Sequence, residues 1–178
     1  MNRLFQSPLR VFLLRALLLL LVWHVGYTLW LGPQGQLDQA LSVNLAQASA
    51  FALRGLGIDA QVEQLRLVSV SGQPAVWVGH PCNGLVLYTL FAGFVLSFPS
   101  PGTRKGWFIP LGCLMIYLLN IIRVAALAVL QHWGPAGSVD FNHHYTFTFV
   151  VYGAIGGLWV LWVRRQASVT SAAEASYA

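Results

Sequence analysis

Trp107 to Leu130 reads WFIPLGCLMIYLLNIIRVAALAVL, twenty-four consecutive residues that carry a single charge, Arg123. At 1.5 Å of rise per residue this run makes a helix of about 36 Å, enough to cross the ~30 Å hydrocarbon core of a bilayer. Three further apolar runs flank it. One extends from about Gly84 to Phe98 and stops at Pro99-Ser100-Pro101-Gly102, and another runs from about Tyr145 to Val163 and stops at Arg164-Arg165. The first, Val11 to Leu31, contains five leucines in a row, Leu17 to Leu21, behind Arg3 and Arg10, with Arg15 placed to snorkel. It is too long for the apolar core of a signal peptide and leads into Gly32-Pro33 with no small-residue cleavage pattern.

The composition agrees. The 178 residues are 57% hydrophobic and 8% charged, against about a quarter charged in soluble domains. The chain is therefore expected to be an all-α integral membrane protein, a bundle of four transmembrane helices at about 11–31, 84–98, 107–130 and 145–163. Residues 1–163 form one membrane-embedded domain, and 164–178 a disordered cytoplasmic tail. A net charge of +5 does not imply nucleic acid, because the basic residues stand in twos and threes beside apolar runs. Arg3 and Arg10, Arg104-Lys105 and Arg164-Arg165 fall on one side, and the short connection Gln131 to Asn142 has no Lys or Arg. The positive-inside rule then puts both termini in the cytoplasm and residues 33–81 outside the membrane.

Within that outer segment, Leu37 to Leu56 alternates apolar residues with Asp38, Gln39, Asn44, Gln47 and Arg54. That pattern suits an amphipathic helix on the membrane surface. Gly57-Ile58-Asp59 marks its exit. Val62 to Val70 and Ala75 to Val78 then read as two strands of a short β-hairpin around Ser71-Gly72-Gln73-Pro74. The hairpin leads directly into Pro81-Cys82-Asn83-Gly84.

Three polar clusters interrupt the apolar runs, all at the outer end of a span. Cys82 follows a proline and is expected to open a helix whose first turn is Cys82-Asn83-Gly84-Leu85. Unpaired amides and the positive end of the helix dipole favour a thiolate there. Gly84 permits close approach of another group, and Asn83 offers an amide to cap the helix or hold an oxyanion. The plain alternative for Cys82 is a small buried hydrophobe. Arg123 is costlier, on the order of 3 kcal/mol within hydrocarbon. Asn120, three residues earlier, shares its helix face. Together they either reach the outer headgroups and a neighbouring helix, or hold a cation where a thiolate or tetrahedral oxyanion forms. His143 and His144 begin the last span and are candidate acid/base groups, or interfacial anchors. His144 lies further inside the helix, and spacing does not choose between them. His80 is a third candidate base, and Asp140 could orient a histidine. Cys113, in the inner half of its span, is expected to be an inert packing residue. With two cysteines and no Cys-x-x-Cys, neither a disulfide nor a metal site is expected.

Taken in order, Pro81-Cys82-Asn83-Gly84, Asn120-Ile121-Ile122-Arg123-Val124 and the His143-His144 start of the last span resemble the cysteine, arginine and histidine motifs of the exosortase/archaeosortase family, over roughly residues 80 to 160. The resemblance implies an integral-membrane cysteine protease or transpeptidase, with Cys82 as nucleophile, Arg123 as stabilising cation and His144 or His143 as acid/base. It implies a membrane-anchored protein substrate bearing a C-terminal sorting motif, transmembrane helix and basic tail, cut on the extracytoplasmic side without metal or cofactor. Two features depart from the family. The chain is similar to its shorter, four-span kind, and Asn83 stands where serine is common. The competing expectation is a non-enzymatic assembly or lipid-binding protein in which Arg123 holds an anionic headgroup and Cys82 only packs. A thiol–quinone oxidoreductase lacks the paired cysteines it would need.

Overall fold

In the computed structural model, which describes residues 8–99, 102–135 and 147–176, the chain is mostly helical with one small sheet. Helix α1 (Pro8–Gly26) runs through a π turn (Tyr27–Leu31) into α2 (Gly32–Gln34), where Gly35, at φ 63°, breaks the helix and starts α3 (Gln36–Gly55). The sheet follows as β1 (Ala60–Glu63), β2 (Leu67–Val70) and β3 (Gln73–Trp77), and after it come α4 (Leu85–Ser97), α5 (Gly102–Trp133) and α6 (Phe147–Ser176).

Two stretches among the described residues are long and apolar enough to cross a membrane, Leu9–Gln34 and Thr103–Trp133. Leu13, Leu14, Leu17, Leu18 and Leu21 on α1 are all exposed, a surface that only lipid or another apolar partner can cover. Helix α4 is apolar but only 13 residues long, about 20 Å. Helix α6 does not end at Val163. It continues past Arg164-Arg165 to Ser176, where the sequence alone suggests a disordered tail, through residues such as Ala167, Ala172, Ala173 and Glu174 that favour helix.

The segment between α1 and α4 also differs from the sequence reading. Asp38, Ser42, Leu45, Ala46, Ser49, Ala50 and Leu53 form a buried stripe along α3, which packs against both the sheet and the C-terminal half of α5. The helix is thus part of the protein core, with only its opposite side, including Phe51, exposed. The sheet is a three-stranded antiparallel meander in the order β1-β2-β3. A turn at Gln64 and Leu65, both at positive φ, cuts the expected Val62 to Val70 strand in two, pairing Val62 with Val68. Between β2 and β3, Ser71 and Gly72 make the two-residue turn closed by the Val70–Gln73 pair.

Two apolar cores result. One joins Leu45, Leu53, Val68, Val70 and Val78 to Val124 and Ala128 of α5. The other joins Phe91 and Val95 of α4 to Phe108 and Ile116 of α5 and to Val151, Ile155 and Trp162 of α6. Helix α1 packs on the second through Phe12, edge-on to Phe94 at 5.4 Å between ring centroids. Gly112 of α5 lies under the Phe91 ring, so close that a Cβ there would collide with it. Helix α5 serves both cores, and residues 79–84 cross from one to the other beside its middle. At the far end of α5, Arg104 donates a long hydrogen bond to Gln166 of α6 at 3.4 Å, bringing two basic clusters together.

Candidate active site

The crossing segment is shaped residue by residue. Gly79 is extended (φ −80°, ψ 170°), and Pro81 then supplies the fixed φ for a 3₁₀ turn over His80–Cys82. The turn is closed by the Cys82 amide donating to the Gly79 carbonyl at 3.0 Å and the Asn83 amide to His80 at 3.3 Å. Gly84 follows at φ +85°, and α4 begins only at Leu85. Cys82 therefore does not occupy the first turn of that helix, contrary to the sequence expectation. Its own N–H is already engaged. The proline and the left-handed glycine that bracket it hold the chain in a turn until Leu85.

Gly84 does permit a close approach, and the group that uses it is Asn120. A Cβ at position 84 would lie 2.5 Å from Asn120 Nδ2 and 3.1 Å from the Tyr88 hydroxyl. Asn120 is 1% exposed, and its carboxamide has no hydrogen-bond partner among the described residues. One turn further along α5, the half-buried Arg123 reaches the same segment, its Nη2 standing 4.0 Å from Cys82 Sγ. Of the predicted site residues, the structure thus gathers Cys82, Asn83, Gly84, Asn120 and Arg123 around one seam between α4 and α5. His143, His144 and Asp140 lie outside the described residues. His80 shares the turn with Cys82 and is exposed. Both cysteines are free thiols. No cluster of three potential metal ligands occurs among the described residues.

Asn83 has a different task from holding an oxyanion. Its Oδ1 accepts the Leu85 N–H at 2.9 Å, capping α4, and its Nδ2 donates to Asp38 Oδ1 at 2.6 Å, with the Asp38 carbonyl at 3.4 Å. The other carboxylate oxygen of Asp38 accepts the Tyr27 hydroxyl at 2.9 Å. Asp38, 2% exposed, is the residue sequence reasoning missed. It was legible in one respect. Asp38 stands 7, 11 and 15 residues before Leu45, Ser49 and Leu53, in phase with the face of α3 that is buried.

Beside the seam, a groove of about 410 Å³ opens between α1 and α4, lined by Leu19, Trp23, Tyr88, Thr89, Gly93 and Cys113. It is almost wholly apolar, and Tyr88 joins it to the Gly84–Asn120 contact. Cys113 is a half-buried wall residue of this groove, about two turns from Asn120 along α5.

Chemically the arrangement sets a thiol against a fixed cation at a partly buried site. The family model described as transmembrane exosortase matches residues 5–161, well beyond the 80 to 160 stretch that carries the three motifs. No curated protein and no solved structure matches the chain.

Proposed function

This chain belongs to the transmembrane exosortase family, and from that premise we propose that it is a membrane-embedded cysteine peptidase or transpeptidase with Cys82 as its nucleophile. The observation that carries the reading is the 4.0 Å approach of Arg123 Nη2 to Cys82 Sγ. A guanidinium at that distance can hold the negative charge that passes from the sulfur to the carbonyl oxygen as the tetrahedral intermediate forms.

The proposed substrate is an exported protein with a C-terminal sorting motif, transmembrane helix and basic tail. Its helix docks laterally, and the apolar α1–α4 groove beside Tyr88 supports that approach. The Cys82 thiolate adds to the scissile carbonyl, and the oxyanion is held by Arg123. The C–N bond then breaks as His144 or His143, protonated, donates to the leaving amine. The thioester is resolved by an acceptor amine, giving a new amide, or by water, giving a carboxylate. Either step returns the thiol.

Cleavage takes place on the extracytoplasmic side in this reading, with both termini cytoplasmic and four spans. Support comes from the basic clusters. From Lys105 to Arg123 the helix rises about 27 Å, close to the thickness of the hydrocarbon core. With Arg104, Lys105, Arg164 and Arg165 at the cytoplasmic rim, Arg123 and Cys82 come to the opposite one.

The decisive experiment is Cys82→Ala in cells that also make a tagged substrate of this kind. The variant should accumulate in the membrane and leave the substrate uncut. Normal processing by it would overturn the assignment of the nucleophile.

A further inference from the structure

Asp38 is a buried acid in a chain that has only five acidic residues, and nothing in the packing of α3 requires it. An uncompensated buried carboxylate costs several kcal/mol, and an apolar residue of similar size at such a place is often as stable or more so. A leucine at position 38 would continue the stripe of Leu45 and Leu53. What the carboxylate does instead is accept two hydrogen bonds from distant elements. One comes from Tyr27 in the π turn of α1, at 2.9 Å, and the other from Asn83, at 2.6 Å. Its place in the first turn of α3, behind a Gly35 that offers no side-chain cap, adds the favourable end of the helix dipole.

Asn83 is the residue after Cys82, and Asp38 leaves its carboxamide no freedom. One end is fixed to the Leu85 amide and the other to Asp38. The turn carrying Cys82 is thereby tied at its exit to α3, while Pro81 fixes its entrance. We propose that Asp38 is a positioning residue, which through Asn83 holds the Cys82 thiol against Arg123. This rests on the reading of Cys82 as nucleophile and Arg123 as its cation. It adds a third element, α3, to the two that carry those side chains. Positioning of this kind matters because a misplacement of about 1 Å at a reacting atom can cost roughly 100-fold in rate.

The test measures coupling rather than loss. In a Cys113→Ala background, the purified protein in detergent is reacted with a sulfonated maleimide, so that only Cys82 reports. Arg123→Gln should slow the reaction about tenfold in the parent, since it removes the cation that stands 4.0 Å from the attacking sulfur. In Asp38→Asn the same Arg123→Gln change should matter by less than about twofold, because the thiol is no longer held against the guanidinium. The exchange Asp38→Asn with Asn83→Asp keeps a partner for each donor: Asp at 83 accepts from Leu85 and from Asn at 38, whose carbonyl accepts from Tyr27. It should restore the tenfold effect.

A thermal midpoint identifies the folded variants. If Asp38→Asn alone does not fold, the exchanged pair decides, and a folded pair in which Arg123→Gln has no effect overturns the proposal. An undiminished tenfold effect in folded Asp38→Asn also overturns it, leaving Asp38 a merely structural residue. These outcomes need no substrate. They are therefore distinct from continued processing by Cys82→Ala, which would sink the nucleophile reading itself. Insensitivity of the parent to Arg123→Gln would overturn the proposal, because Arg123 would then not act on the sulfur, and would leave the nucleophile to the Cys82→Ala test.

Discussion

Arg123 Nη2 stands 4.0 Å from Cys82 Sγ, and the two residues are brought together by opposite means. Arg123 is fixed by a long helix that belongs to both apolar cores, whereas Cys82 is fixed by a three-residue turn between a sheet and a helix. An arginine in an apolar helix needs polar partners, and the Cys82 sulfur is one of those it reaches. In the proposed mechanism the cost of burying Arg123 and the use of Cys82 as nucleophile are one feature of the protein.

Substitution at Arg123 should separate charge from shape. Arg123→Gln should lower processing of a tagged substrate by about 100-fold to 1,000-fold, the usual loss when one stabiliser of an oxyanion is removed. Arg123→Lys should fall between, since an ammonium keeps the charge but loses the planar fork. Steady-state cleavage measured by immunoblot orders the three. Equal cleavage by Arg123→Gln and the parent would remove Arg123 from the chemistry.

The glycines give a stability prediction that is independent of activity. Gly84→Ala combines a positive φ with a collision against Asn120, and Gly112→Ala drives a methyl into the Phe91 ring. Each should cost about 1–3 kcal/mol. Gly106→Ala, with nothing within 4 Å of its would-be methyl, should be neutral or slightly stabilising in a helix. Thermal midpoints in one detergent provide the comparison. A Gly84→Ala protein as stable as Gly106→Ala would mean that the Gly84–Asn120 approach is wrong.

How much was legible beforehand follows from what each feature depends on. The long apolar helices α1 and α5 declare themselves through composition, which needs no partner to read. The α3 helix was legible as a helix, but its place was not. A stripe of Asp38, Ser42 and Ser49 looks like a surface until one sees that Asn83 and Tyr27 satisfy the acid and that Ser49 donates to the Leu45 carbonyl. The break between β1 and β2 was hidden because it is made by Gln64 and Leu65, not by Gly, Asn or Asp. The conjunction of Cys82 with Arg123 could be guessed from depth along two helices. The turn conformation of Cys82 could not, since Pro81 suits the start of an α-helix as well as a 3₁₀ turn.

The turn between β2 and β3 offers a mild gain. Ser71 and Gly72 adopt φ of 49° and 75°, the two left-handed positions of a type I′ hairpin turn, for which Asn-Gly is preferred. Ser71→Asn should stabilise the protein by ~0.5 kcal/mol, raising the thermal midpoint by about 1–2 °C. Ser71→Val, β-branched at a positive φ, should lower it. The reverse order of the two variants would contradict the turn type.

The two ends of α5 should lie on opposite sides of the membrane, and this can be read with thiols alone. In sealed right-side-out vesicles, a sulfonated maleimide added outside should label Cys82 in a Cys113→Ala protein. It should not label Thr103→Cys in a protein whose two native cysteines are alanine. Thr103 is exposed at the basic end of α5, so the absence of labelling cannot be laid to burial, and permeabilising the vesicles should release the reaction. Charge makes the direction of failure informative. If Thr103→Cys reacts from outside and Cys82 does not, Arg104, Lys105, Arg164 and Arg165 face outward against the positive-inside rule, and an extracytoplasmic cleavage site is excluded. If both react from outside, α5 does not cross the membrane, and the ~27 Å between Lys105 and Arg123 lies along its surface.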